Sequence, residues 1–171
     1  MLDFGAIRKK SEKTWAKKVL KNDIYGFQIQ PGTMWNKGLD IKYINSVEQE
    51  FGLCFPNELK EYFCEMNGLD KKNINVYGKD GRNRTFRHTV FSLDRDRSEI
   101  NKLYEESKFF DFKKIDGEGC QLLSEPISLF PIMEDVFIVC KPNPSLIISS
   151  ENEELYVISD SLSTYVLDAL K

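Results

Sequence analysis

The chain has a single histidine, His88, which is the first candidate for acid–base chemistry. If residues 84–91 form a strand, His88 shares one face with Phe86 and Val90. A histidine on such a face is more often structural than a general base, and spacing ties no carboxylate or nucleophile to it. The sequence carries no G-x-S-x-G, H-E-x-x-H or P-loop pattern. We therefore predict no catalytic residues and no enzymatic activity, and the sequence leaves open whether His88 is merely structural.

Metal or redox chemistry would call for a cysteine cluster, and the cysteines are dispersed. They stand at Cys54, Cys64, Cys120 and Cys140. No pair has C-x-x-C spacing, and His88 is not placed to complete a zinc site. Cys54 and Cys64 fall in apolar runs, where we expect them to behave as small hydrophobic side chains. The sequence predicts no metal or cofactor, and reduced thiols indicate a cytoplasmic protein.

Residues 94–98 together with Glu105 copy part of a calcium-binding loop. The copy fails at its sixth position, where Glu99 replaces the glycine that the sharp turn needs. A helix capped by Ser98 accounts for the same residues better. Its inner face would carry Ile100, Leu103 and Tyr104.

Charge is unevenly distributed, although the formal net charge is only −3. Residues 1–21 hold seven basic and two acidic side chains, whereas residues 116–171 hold two basic and ten acidic ones. Three arginines on a predicted hairpin are able to hold phosphate: Arg82, Arg84 and Arg87. Acidic side chains at Asp80, Asp94 and Asp96 lie close by in sequence, which favours a charge-balanced hairpin surface. No stretch approaches the roughly 20 apolar residues that span a bilayer, and no signal peptide is evident. We predict no nucleic-acid and no membrane partner.

The first 40 residues are predicted to form an N-terminal extension. Residues 6–20 place apolar side chains at helical spacings among lysines, which predicts a short amphipathic helix packed as an appendage. Its basic face could meet nucleic acid or an anionic membrane, but a solvated lysine face is preferred. Residues 22–40 read as a connector with one edge strand around residues 27–30.

Two amphipathic helices are the best-specified local structure. Ile44, Val47 and Phe51 recur at spacings of three and four, and Gly52 stops the first helix. Pro56 indicates the start of the second helix, because the N–H that proline lacks would have no hydrogen-bond partner in a first helical turn. The second helix has one apolar stripe, ending at an Asn-Gly stop. The stripe is Leu59, Tyr62, Phe63 and Met66, and the stop is Asn67-Gly68.

The remaining elements complete an α+β pattern. Residues 74–77 and 84–91 flank an Asp-Gly turn, which predicts a hairpin. Three short β-branched runs after residue 136 predict an antiparallel meander, and Asp160 or Ser161 caps a last helix. We predict a single α+β domain over residues 41–171, an antiparallel β-sheet with helices packed mainly on one face. The oligomeric state is left open, with a monomer favoured.

The two-helix segment and the C-terminal layout resemble the SUKH superfamily, in its Smi/Knr cell-wall-assembly-regulator branch, over residues 42–170. The matching family-signature residues are Glu48, Gly52, Phe55, Pro56, Leu59, Phe63, Asn67 and Gly68. Phe55 stands where leucine is usual, and no further glycine follows Gly68. The resemblance implies that these residues maintain the fold and do not mark the binding site.

The resemblance also implies a protein-binding function. Bacterial SUKH proteins are mostly immunity proteins that neutralise a cognate toxin, often a nuclease or deaminase, by direct binding. We therefore expect an immunity protein of a bacterial toxin system. The alternative is a SUKH-type regulator or scaffold, linked to cell-wall synthesis or signalling, without a toxin partner.

The acidic C-terminal part offers candidate partner-binding residues for such an inhibitor. Carboxylates presented to a basic nuclease cleft accelerate association and exclude wrong partners. The candidates are Glu118, Glu125, Glu134, Asp135, Glu151, Glu153 and Glu154. Several fall in predicted turns, where solvated charge without any partner is the alternative interpretation.

Overall fold

The computed structural model describes residues 3–22, 25–77, 81–87, 90–110, 115–116, 127–141, 144–151 and 154–169. The helices are α1 (Phe4–Ala16), α2 (Ile41–Phe51), α3 (Asn57–Glu65), α4 (Arg97–Ser107) and α5 (Leu162–Ala169). The strands are β1 (Phe27–Gln28), β2 (Trp35–Lys37), β3 (Met66–Leu69), β4 (Asn73–Tyr77), β5 (Asn83–Arg87), β6 (Ile115–Asp116), β7 (Ser128–Met133), β8 (Val136–Lys141), β9 (Ile147–Glu151) and β10 (Glu154–Ser159). The predicted α+β class is confirmed.

The strands form three sheets in the described part of the chain. The largest has the order β6-β10-β9-β8-β7, and β7 to β10 are the predicted antiparallel meander extended by one strand. Strand β6 joins its edge in parallel with β10. The hairpin β4–β5 pairs with β1 to make a three-stranded sheet, and β2 pairs with β3. Pro131 lies within β7, which tolerates it because β7 is an edge strand.

One face of the five-stranded sheet lies in the main apolar cluster. Phe130, Ile138 and Ile147 on that face belong to one apolar cluster with buried residues from all five helices. The opposite face has a smaller cluster around Phe137, whose ring meets that of Phe110 edge-on. The sheet is therefore buried on both faces, which makes it a rigid platform for its turns.

Helix α1 packs into the main core and is not the appendage that its lysine-rich sequence suggested. Trp15 is only 2% exposed, and its ring centroid lies 5.8 Å from that of Trp35. Phe4 contacts Tyr62 of α3 edge-on at 5.6 Å. Although lysines dominate the helix, three apolar side chains at helical spacing give it one face that can be buried while the lysines remain in solvent. The division of the chain at residue 40 stays a prediction.

The second helix ends earlier than the Asn-Gly pair implied. Helix α3 stops at Glu65, and Met66 is already extended. Asn67 and Gly68 lie within strand β3, where Gly68 has a φ of +74°. The first helix does end as predicted, with Gly52 left-handed at φ +64°. The cap of α4 is Asp96, two residues before the predicted Ser98.

Among the described residues, no helix combines the length and the apolar character needed to cross a membrane.

Candidate functional site

Four of the predicted partner-binding carboxylates converge on one end of the five-stranded sheet. Glu134 and Asp135 form the turn between β7 and β8, while Glu151 ends β9 and Glu154 begins β10. All four are exposed. The backbone carbonyl of Asp135 accepts a 2.7 Å hydrogen bond from the N–H of Ser150, which joins the two turns. We call Glu134, Asp135, Glu151 and Glu154 the acidic sheet end.

Strand register explains why these residues meet. Met133 and Val136 are partners across a two-residue turn, and Asp135 takes a φ of +60° that aspartate tolerates better than most residues. In the neighbouring hairpin Glu151 stands directly opposite Glu154. In an antiparallel meander every second turn lies at the same end of the sheet. Carboxylates that are far apart in sequence are therefore close together at that end.

Helix α4 extends this acidic surface. A shallow groove of about 200 Å³ lies beside the β7–β8 turn, with Glu99, Glu134 and Asp135 in its lining. Lys102 also lines it, so one cation adjoins these carboxylates in the described lining. The remaining predicted acids, Glu118, Glu125 and Glu153, lie outside the described residues, and so does His88.

Several of the residues that match the family signature make contacts that connect helices and strands. Glu48 of α2 accepts a 2.6 Å hydrogen bond from the Phe55 N–H and one of 3.2 Å from the Lys60 ammonium. This carboxylate fixes the turn that carries Phe55 and Pro56 into α3. The Phe55 ring then packs on Phe130 with centroids 4.7 Å apart, which joins the turn to the sheet.

Asn67 is a buried polar hub. Its side chain accepts a hydrogen bond from the Leu93 N–H and donates one to the Asp94 carboxylate, both at 2.8 Å. Its backbone carbonyl accepts a bond from Asn36 of β2. A Cβ on Gly68 would come within 2.8 Å of the Ser92 nitrogen, so only glycine permits this close approach. The Asn-Gly pair therefore links β3 to the segment before α4.

The calcium-like segment has a structural role. Asp96 accepts a 2.7 Å hydrogen bond from the Ser92 N–H, and Asp94 accepts bonds from Asn67 and from the Ser92 hydroxyl. Burial raises the pKa of the Asp94 carboxyl, but these hydrogen bonds and two backbone amides outweigh burial and lower that pKa overall. The described residues hold no group of three or more His, Cys, Asp or Glu side chains placed for a metal ion.

A second exposed surface is formed by β1, β4 and β5. The sequence predicts a charge-balanced hairpin there, and Asp80, one of the acids on which that balance depends, lies outside the described residues. All five residues of β5 are exposed, and Phe86 keeps 54% of its surface in solvent. Arg87 lies over the Phe27 ring, 4.4 Å from its centroid, and Tyr77 stacks edge-on against Tyr25. Phe27, Tyr77 and Arg87 lie on one face of this three-stranded sheet and Phe86 lies on the other. We call the exposed surface of β1, β4 and β5 the arginine–aromatic hairpin. The signal for it in the sequence is Arg84, Phe86 and Arg87 within one short edge strand.

Cys54 and Cys64 are exposed, contrary to the apolar surroundings predicted for them. Each adjoins a buried phenylalanine in sequence, Phe55 or Phe63, and neighbouring side chains in a helix or turn point in different directions. Cys140 in β8 is buried as a small hydrophobic side chain, and burial raises the pKa of its thiol to about 12.

No protein-family model matches the sequence, and a comparison with curated proteins found no significant match.

Proposed function

We propose that this protein is an immunity protein of a bacterial toxin system, which binds a cognate nuclease-type toxin directly in the cytoplasm. The observation that supports the proposal is the acidic sheet end, where four exposed carboxylates lie on adjoining turns. A nuclease cleft that holds a phosphate backbone is basic, so clustered carboxylates match its charge and compete with its substrate. The resemblance to the SUKH superfamily supports the same class of function.

The platform beneath the carboxylates suits tight binding. Both faces of the five-stranded sheet are buried in apolar clusters, so the turns project from a rigid element. Rigid presentation lowers the entropic cost of association. The exposed charges act at long range on the approaching partner, and the association rate constant should therefore fall with ionic strength.

Co-expression with the toxin domain encoded beside the gene tests the proposal. The wild-type protein should rescue growth, and the double variant Glu134→Gln/Glu151→Gln should rescue poorly. In purified form that variant should associate about tenfold more slowly at low salt. The matched control is Glu61→Gln/Asp160→Asn, which removes two exposed carboxylates, one from α3 and one beyond the opposite end of β10. Cell death at equal rates with and without the wild-type protein would refute the proposal for that toxin.

A SUKH-type scaffold or regulator without a toxin partner is the second candidate. The arginine–aromatic hairpin supports it, because arginine and tyrosine are the side chains enriched at protein-binding hot spots. The exposed charges on β5 are arginines, opposite in sign to the carboxylates of the acidic sheet end. A photo-crosslinker placed at Phe86 and another placed at Glu151 should then capture two different proteins. Capture of one and the same protein at both positions would contradict a scaffold.

A further inference from the structure

An apolar groove of about 340 Å³ runs between helices α1 and α5. Its lining is formed by Ile7, Lys10, Ser11, Thr14, Trp15, Lys18, Val166 and Leu167. The five residues from α1 follow spacings of three and one, which keep them on one helical face, and Lys18 stands just after the end of α1. From Ile7 to Trp15 this stripe extends about 12 Å along the helix axis. The volume lies within the range of about 300–1,000 Å³ that is usual for small-molecule sites.

The floor of the groove belongs to the protein core. Ile7, Trp15 and Val166 are all buried in the main apolar cluster. They are held by the packing of α1 on the rest of the domain, so the groove is preformed. Because these side chains are recessed, they are not placed to insert into a bilayer. A single apolar chain lying over this floor would bury the side surfaces of Thr14 and Leu167 and the methylene chains of the lining lysines, which the helices leave open.

The rim of the groove is cationic. Lys10 and Lys18 line it, and the lining contains no carboxylate among the described residues. Glu12, between the lining residues of α1, pairs with Arg8 and also accepts a hydrogen bond from the Trp35 N–H. Asp168 adjoins Leu167 in sequence but does not line the groove. Lys18 is half-buried, and burial together with the neighbouring Lys21 lowers the pKa of its ammonium group. A partly desolvated cation beside an apolar groove favours an anionic ligand.

We propose that the α1–α5 groove binds a single-chain anionic amphiphile of the fatty-acid class, with the carboxylate at Lys18 and the chain along Trp15 and Val166. The groove is formed by helices that do not carry the acidic sheet end. This inference therefore stands whether or not the protein neutralises a toxin.

Titration of the full-length protein with dodecanoate, below its critical micelle concentration, tests the inference. Calorimetry should give saturable binding of one ligand. Bromoundecanoate should quench the fluorescence of Trp15, which lines the groove. From octanoate to dodecanoate the Kd should fall about fourfold for each added methylene. Dodecanol, which lacks the negative charge, should bind about tenfold more weakly.

Three variants distinguish binding in the groove from non-specific electrostatic binding to a basic helix. Lys18→Gln should weaken dodecanoate binding about tenfold. Lys13→Gln removes an exposed charge from α1 outside the groove lining and should leave the Kd unchanged. Thr14→Phe, introduced from an exposed position, should fill the groove and abolish binding without lowering stability.

Absence of saturable binding, or binding only above the micelle concentration, would overturn the inference. Equal losses in Lys13→Gln and Lys18→Gln, or full binding by Thr14→Phe, would do the same. Binding to phosphatidylglycerol vesicles without binding to monomeric dodecanoate would assign the basic helix to a membrane surface and refute the groove as a ligand site.

Discussion

The Glu58 carboxylate accepts a 2.6 Å hydrogen bond from the backbone N–H of Ser163, which lies 105 positions later in the chain. Glu58 stands in the first turn of α3, and Ser163 in the first turn of α5. Both residues are buried. The first amides of a helix have no partner within it, and a carboxylate is favoured at the positive end of its dipole. One side chain therefore caps a distant helix.

Replacement of Glu58 by alanine should lower the free energy of unfolding by about 2–3 kcal/mol, because the Ser163 N–H then stays buried without a charged acceptor. Glu58→Gln retains an acceptor and should lose about half as much. Urea unfolding followed by circular dichroism measures both. The matched control is Glu61→Ala, one turn later on the exposed face, which should change stability by less than about 0.5 kcal/mol. Equal losses of unfolding free energy in Glu58→Ala and Glu61→Ala would show that the cap does not stabilise the protein.

The contact between Glu58 and Ser163 could not be predicted from the sequence, although the helices that carry the two residues could. The apolar stripes predicted helices α2, α3 and α5, since a helical period is a local property. Glu58 fits any first helical turn, and nothing local indicates that its partner is another helix. Likewise the Asn67-Gly68 pair signals a left-handed residue correctly, but the four-residue strand that contains Gly68 depends on pairing with β2. Long-range pairing is not encoded in a local period.

The acidic sheet end was partly accessible from sequence. Three short β-branched runs predicted the meander, and a meander brings Glu134 and Glu151 to one end of its sheet. The α1–α5 groove was not accessible. Its two walls, α1 and α5, are far apart in sequence. The sequence around Trp15 does not indicate which helix this side chain packs against.

Gly68 and Gly52 should respond differently to alanine. Both have positive φ, so each substitution costs about 1–2 kcal/mol of backbone strain. A Cβ at Gly52 meets nothing within 4 Å, whereas one at Gly68 would collide with the backbone of the 90–92 segment at 2.8–2.9 Å. Gly68→Ala should therefore lower the unfolding free energy by clearly more than Gly52→Ala. Chemical denaturation of the two variants measures the difference, and similar losses would contradict the close approach.

Asp94 should make the protein more sensitive to acid. Its folded-state pKa lies below the ordinary value of 3.8, because hydrogen bonds from Asn67 and Ser92 outweigh the opposing effect of burial. A lowered folded pKa means that the ionised form favours folding. This contribution is complete above the ordinary pKa and is lost as the pH falls through the lower folded value.

Asp94→Asn should consequently lose less unfolding free energy than the wild type between about pH 5 and about pH 2. Asp160→Asn, at an exposed position before α5, is the control and should follow the wild-type pH dependence. The measurement is urea unfolding at a series of pH values. Parallel curves for wild type and Asp94→Asn would show that the hydrogen-bonded carboxylate does not contribute to acid sensitivity.

The thiols should react in a fixed order in a Cys120→Ser background, which removes the cysteine outside the described residues. Cys54 and Cys64 are exposed, while Cys140 is buried with a pKa raised to about 12. Burial, with the nearby Asp40 and Glu61, also raises the pKa of Cys64. At about pH 8 a disulfide reagent should modify Cys54 first and Cys64 more slowly, because the thiolate is the reacting form. Cys140 should react only after addition of urea, and a third fast thiol in the native protein would contradict its burial.

Charge reversal at Glu151 should stabilise the protein while weakening its proposed function. Glu151 and Glu154 stand directly opposite each other in the β9–β10 hairpin, and like charges in such a pair are unfavourable. Glu151→Lys should raise the unfolding free energy by roughly 0.2–1 kcal/mol at low salt, and the gain should shrink as salt screens the pair. Glu61→Lys makes the same change in net charge on an exposed helix position and should give a smaller gain.

If the acidic sheet end binds a basic cleft, Glu151→Lys also slows association with the toxin, so stability and affinity move in opposite directions. A loss of stability in Glu151→Lys would contradict repulsion between the two carboxylates. The acidic sheet end would then lower the unfolding free energy by no measurable amount, and its carboxylates would show no stability cost kept for binding.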